Sequence, residues 1–114
     1  MNITQELDAL ITGLGLPVET GVFSGKAPEE YVIVTPLGDT FALHCDNRPE
    51  YETQEARLSL YSKKNYQAAK RRLTKALLLA GFTITLRQYV GREDDTGYFS
   101  HATDVAKIYK ALEE

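Results

Sequence analysis

Tryptophan is absent from this 114-residue sequence, and cysteine and methionine occur once each. The lone Cys45 cannot close an internal disulfide, so no covalent staple holds the fold. His44, His101 and that one cysteine are too few for a structural zinc site, which needs about four such ligands. No apolar run approaches the roughly 18 residues of a membrane span, which predicts no membrane partner. The opening MNITQELDAL has no basic leader of the signal-peptide kind and predicts a chain that stays in the cytoplasm where it is made. What is present is ordinary for a globular protein: 43% hydrophobic and 25% charged residues. The length suits one domain over residues 1–114 with a core of its own.

Acid is missing from one long stretch. The chain carries 16 Asp and Glu against 13 Lys and Arg, yet none of the acids lies between Ala56 and Arg92. Arg57, Lys63, Lys64, Lys70, Arg71, Arg72, Lys75 and Arg87 fall in that interval. A pI near 5.4 opposes bulk attraction to DNA but leaves room for a local basic patch.

Hydrophobic spacing organises the chain. Asn2 with Gln5 forms a capping-box pattern ahead of Ile3, Leu7, Leu10 or Ile11, and Leu14, an amphipathic first helix that Gly13, Gly15 and Pro17 end. Val18, Thr20 and Val22 alternate as a short strand. Tyr31–Thr35 and Thr40–His44 read as a hairpin around the turn Pro36–Asp39. Cys45–Thr53 is polar and reads as an exposed loop before the alternating strand Glu55–Tyr61. Ser62 or Asn65 caps a second helix whose stripe is Tyr66, Ala69, Leu73, Ala76, Leu77 and Ala80, with Gly81 as its stop. Phe82–Val90 alternates, with Phe82, Ile84 and Leu86 on one face and Thr83, Thr85 and Arg87 on the other. Gly91–Gly97 is a hairpin with an acidic tip. Residues 98–108 fit a strand, and Val105, Ile108, Tyr109 and Leu112 also fit a helix; the hairpin's need for a returning partner favours the strand. The order α-β-β-β-β-α-β-β predicts an α+β fold: two layers, a mostly antiparallel sheet with two helices packed on one face.

Catalytic patterns are weak. Gly13–Leu14–Gly15 follows a helix, so it is a helix stop and not a phosphate loop. His44 and Cys45 are neighbours on a strand and point to opposite faces, which disfavours a nucleophile–base pair. His101 reads as a packing or surface residue. Glu93, Asp94 and Asp95 read as a solvated turn and not a cation site. Asp39 with Glu55 and Arg57 is only a loose likeness to a metal-nuclease pattern. No catalytic, cofactor or metal residues are assigned, and the chain is expected not to be an enzyme.

Three readings compete for the basic second helix. Lys64, Arg71, Arg72 and Lys75 group away from the Tyr66–Leu73–Ala80 stripe. The helix is a subunit contact, a solvated face, or a phosphate-contacting element. Leu78 and Leu79 extend the apolar surface beyond what one buried face absorbs, and that points to a protein partner. With no helix-turn-helix, zinc finger or stacking motif, nucleic acid ranks third, behind a subunit interface and a solvated face. Charge segregation between this helix and the acidic loops suits copies arranged head to tail.

Three stretches carry a family resemblance: APEEYV, DNRPEYETQEARLSLYSK and DTGYF. With them, nearly the whole chain resembles the siphophage tail-terminator, or tail-completion (tail-to-head joining), proteins of phages and prophages of Gram-positive bacteria. The resemblance implies a small α+β subunit of a ring, commonly hexameric, that sits on the end of the tail tube and halts its polymerisation. It implies a tail-tube protein and a head–tail connector protein as partners, and no catalytic site or cofactor. It places the protein in the host cytoplasm during assembly and in the virion tail afterwards. A head–tail connector or other minor tail protein is the alternative. Charge and exposure nominate contact residues: Arg48, Glu50 and Tyr51 in the loop, Lys70, Arg71, Arg72, Lys75 and Leu78 on the helix, and Glu93, Asp94 and Asp95 on the hairpin.

Overall fold

The computed structural model describes residues 2–22, 25–41 and 51–110. The first helix, α1 (Ile3–Gly13), begins with both halves of the expected capping box. The Asn2 side-chain oxygen accepts the Gln5 N–H at 2.9 Å, and Gln5 Oε1 accepts the Asn2 N–H at 3.0 Å. Two of the helix's orphan donors are thereby satisfied. Ile3, Leu7 and Ile11 form its buried stripe. Gly15, at φ 82°, takes the left-handed turn that ends it. The carbonyl of Pro17 then accepts the Val32 N–H at 2.9 Å and sets the next strand beside its partner.

That strand is β1 (Val18–Thr20), followed by β2 (Glu30–Phe41), β3 (Tyr51–Ser62), α2 (Tyr66–Leu79), β4 (Thr83–Arg92) and β5 (Phe99–Lys110). They form one five-stranded sheet in the order β1-β2-β3-β5-β4. β1 pairs parallel with β2, and every other pair is antiparallel. α2 carries the chain back so that β4 runs parallel to β3, and β5 enters between them. The fold is α+β with two helices and a mostly antiparallel sheet, as the spacing predicts.

The predicted element order has one strand too many. Residues 31–35 and 40–44 do not form a hairpin: β2 runs continuously through Pro36–Asp39. A bulge between Pro36 and Gly38 takes up the residue that a turn would have used. Pro36 has no N–H to give to the ladder, and a bulge is where a strand tolerates that loss. Gly38 supplies φ 151°, which other residues rarely adopt. The sheet beyond the bulge is held by β3, whose residues Glu52–Glu55 pair with 38–41. Tyr51–Thr53, predicted as loop, therefore belong to a strand. The rest of the predicted loop and the end of the predicted hairpin, including His44, Cys45, Arg48 and Glu50, lie outside the described residues. At the other end, β5 settles the ambiguous segment as strand through Lys110.

Alternation puts one side of each strand into a common core. Val32 and Val34 of β2 lie opposite Leu60 and Leu58 of β3, and Ala56 lies opposite Val105 of β5. All are buried in one cluster with Ile3, Leu7 and Ile11 of α1 and Ala69, Leu73 and Leu77 of α2. Asn65 caps α2 by accepting the Gln67 N–H at 3.1 Å. Ser62, the other candidate cap, instead donates to Glu30 at 2.8 Å and accepts the Lys64 N–H at 3.0 Å.

A second joint ties both helices to β5. Lys107 Nζ meets Glu6, donates to the Ala80 carbonyl at 2.8 Å at the end of α2, and lies 4.6 Å from the Phe82 ring centre. Tyr109 donates its hydroxyl to the same Glu6 at 2.8 Å. Burial, reinforced by that carboxylate, pushes the Tyr109 phenol well above its ordinary value and keeps it a donor at any physiological pH.

Leu73→Ala and Leu77→Ala should each cost about 2–5 kcal/mol in urea denaturation, because each leaves a cavity in the core. Leu79→Ala, next to them on the same helix, should stay within about 0.5 kcal/mol, because Leu79 is 79% exposed. Equal losses at Leu73 and Leu79 would mean that α2 is rotated from this position.

Candidate functional site at the sheet edge

Surface hydrophobics gather at one edge. Leu78 and Leu79 of α2 and Leu86, Tyr89 and Val90 of β4 are all exposed large apolar side chains. Among the described residues β4 is the outermost strand of its side of the sheet, so one row of its backbone N–H and C=O groups faces no further strand there.

Two bulges in β4 decide which side chains face where. They fall between Ile84 and Leu86 and between Tyr89 and Gly91. Strict alternation predicts Phe82, Ile84 and Leu86 on one face and Arg87 on the other. The first bulge resets the pattern: Ile84 lies opposite Val105 of the core, but Leu86 lies opposite Asp104 on the reverse face. Arg87 and Tyr89, opposite Thr103 and His101, come to the same face as the core residues Leu58 and Leu60 of β3. A bulge adds one residue to one strand only, and a single such step exchanges the two faces beyond it.

Arg87 consequently joins α2. It lines a groove of about 410 Å³ with Arg71, Thr74, Lys75, Leu78 and Leu79. The floor is apolar and three cations rim it. Of the residues nominated from sequence, the structure brings Arg71, Lys75 and Leu78 together here. Arg87 was not among them, because its position depends on the bulge.

The other nominated residues lie elsewhere. Arg72 points along α2 to α1 and donates to the Leu14 carbonyl just past the end of that helix. A cation there satisfies an orphan carbonyl and complements the helix dipole, so Arg72 is separated from the Arg71–Lys75 groove. Lys70 lies 5.8 Å from the Tyr66 ring centre, nearer the start of α2. Glu93, Asp94 and Asp95 are exposed at the β4–β5 turn, closed by hydrogen bonds from the Glu93 N–H to the Tyr98 carbonyl and from the Gly97 N–H to the Glu93 carbonyl. Asp94 is 3.6 Å from Arg92 of its own hairpin. This tip starts roughly 20 Å along the strand from Arg87, taking about 3.3 Å per residue. Tyr51 begins β3 and is exposed.

Aromatic rings brace the hairpin end of the same edge. Tyr66 stacks on Tyr89 at 5.7 Å and on the buried His101 at 6.2 Å, with Phe99 also 5.7 Å away. Burial lowers the pKa of His101, and Lys70 and Arg87 add to the shift by repelling a positive ring. On the reverse face Tyr31 stacks on Tyr61 at 5.0 Å, and Tyr98 meets Tyr31 edge-on. The Tyr98 hydroxyl donates to the Pro28 carbonyl at 2.6 Å.

Arg57, weighed with Asp39 and Glu55 as a loose nuclease pattern, is committed elsewhere. Its guanidinium makes two parallel hydrogen bonds to Asp104, at 2.7 and 3.0 Å. Such a fork is a directional cross-strand tie between β3 and β5, whose residues 57 and 104 lie directly opposite. Among the described residues no group of three or more His, Cys, Asp and Glu is placed to hold a metal ion.

No known family model matches the chain, and no curated protein matches it.

The state of His101 makes stability depend on pH. The folded pKa is below the ordinary 6.5, so the unfolded chain takes up the proton first as pH falls. The neutral ring's contribution is intact above about pH 6.5 and drains away as pH drops from there toward the folded value. Urea denaturation between pH 8 and pH 5 should show a steeper loss below pH 6.5 for the wild type than for His101→Gln. Parallel curves would remove His101 as the cause.

Proposed function

We propose that the chain is a structural subunit that assembles into a ring, caps the tail tube of a phage and helps join tail to head, without catalysis. The observation that carries this reading is the exposed edge, where Leu78 and Leu79 share a groove with Arg71, Lys75 and Arg87 while Leu86, Tyr89 and Val90 lie exposed along β4. Apolar surface at an unpaired edge, rimmed by charge, is the surface of a protein that meets another protein. The sequence resemblance to tail-terminator and tail-completion proteins supplies the setting: a ring, commonly of six, on the end of the tube, with the tail-tube protein below and the head–tail connector above. A two-layer arrangement, with both helices on one face, suits such a subunit because it leaves both sheet edges at the sides. The working locations are the host bacterial cytoplasm during assembly and the virion tail afterwards. A connector or other minor tail protein is the alternative role for the same surface.

The second reading, a nucleic-acid-binding module, draws on one observation: Arg87 adds a third cation to Arg71 and Lys75 in the groove. It requires binding to arbitrary DNA that weakens steeply with salt. A flat titration at low salt removes it.

Two measurements test the main reading. Native mass spectrometry at micromolar concentration should show a closed oligomer, and a strict monomer across the accessible range overturns the ring. Electron microscopy of phage particles lacking this protein should show overlong tubes without heads. Tubes of normal length that fail to join heads assign the connector role instead, and normal, joined tails overturn both.

A further inference from the structure

The two edges of the sheet carry opposite charge. No acidic residue occurs from Ala56 to Arg92, the stretch that supplies α2 and β4. No lysine or arginine precedes Lys26, so α1 and β1 contain no base, while Glu6, Asp8 and Glu19 lie in them. The sheet order places β4 at one edge and β1 at the other. Each edge also has a groove between its strand and the nearest helix. The groove at β4 is lined by Arg71, Lys75, Leu78, Leu79 and Arg87. The one at β1, about 360 Å³, is lined by Thr4, Gln5, Asp8, Val18, Glu19 and Thr20.

We propose that the partner at the β4 edge is a second copy of this chain, which adds its β1 edge as the next strand. This rests on the ring reading above and specifies its contact. The strand directions agree. β1 is parallel to β2, and three antiparallel steps lead from β2 to β4, so β4 runs opposite to β1. A neighbour in the same orientation, with its helices on the same side, presents β1 antiparallel to β4. The lengths agree too. The bulges leave Leu86–Tyr89 as the regular part of β4, and β1 is three residues long. Side chains then meet by face. Arg87 and the α2 cations, on the helix side, face Asp8 of the neighbour's α1, which is exposed. Glu19, opposite Ile33 on the reverse face of β2, comes alongside Leu86 and Gln88. Because different surfaces meet, a growing assembly keeps one unused β4 edge at one end and one unused β1 edge at the other until those two meet and close it into a ring. Pairing β4 with β4 across a two-fold axis is disfavoured, since it sets Arg87 and the α2 cations of one copy against those of the other.

The test uses the full chain, with oligomer mass by native mass spectrometry and sedimentation, and circular dichroism to show that each variant is folded. Arg87→Glu and Asp8→Arg should each raise the concentration for half-association at least about tenfold, through like-charge opposition across the contact. The double variant carrying both changes restores the pairing and should return to within about threefold of wild type. Leu79→Gln, at an exposed position, should weaken association without lowering stability. Hydrogen exchange should show amides in 86–89 and 18–20 gaining protection as concentration rises. A wild type that forms oligomers unaffected by these variants, or a double variant no better than the singles, overturns this contact and leaves the ring reading standing. A wild type that stays monomeric overturns the ring reading and this contact together. Protection of β4 by duplex DNA, with none from rising protein concentration, gives the groove to phosphate and also overturns the contact.

Discussion

The placing of β5 between β3 and β4 is the constraint on which the outer surface depends. β5 uses both of its edges, twelve residues against β3 and most of the length of β4. It closes the core with Val105 and carries Asp104, which takes the Arg57 fork. Its last residues reach Glu6 and the end of α2 through Lys107 and Tyr109. With β5 inside, β4 is displaced to the rim. Ile84 of β4 still packs against the core, but Leu86, Tyr89 and Val90 beyond the first bulge, and Leu78 and Leu79 at the end of α2, are left exposed.

Local signals were legible in the sequence where one stretch decides its own structure. The Asn2–Gln5 box, the stop at Gly15, the stripe of Leu73 and Leu77 and the stop at Gly81 all depend on residues within a turn or two, and the structure has them. The hairpin around Pro36–Asp39 failed because the residues have turn chemistry but the outcome is set by β3, up to about twenty residues away along the chain. With Gln54 and Glu52 in place opposite 39 and 41, a bulge keeps the ladder that a turn would abandon.

The edge was half visible for the same reason. Leu78 and Leu79 announced themselves as surplus on a helix whose buried face was already supplied. Arg71 and Lys75 followed from the helical wheel. Arg87 did not, because a register shift is a property of two strands and leaves no mark in one. The wheel also grouped Arg72 with its neighbours, since it gives a direction without saying what lies there; the end of α1 does. The acid-free and base-free blocks were both readable as composition, but their meaning as opposite edges required the strand order.

The late position of β5 in the chain also governs when this surface comes into being. During synthesis, α1 and the first three strands emerge before β5, which lies beside β3, and β4 emerges before β5, the strand it pairs with among the described residues. Contacts such as Glu6 with Lys107 join residues about a hundred positions apart, the kind of closure that folds slowly. Until residues 99–110 have been made, β4 has no strand of this sheet to pair with and one side of β3 is uncovered. The position of the β4 edge is thus fixed only once β5 has paired with both β3 and β4, late in folding rather than with the first strands.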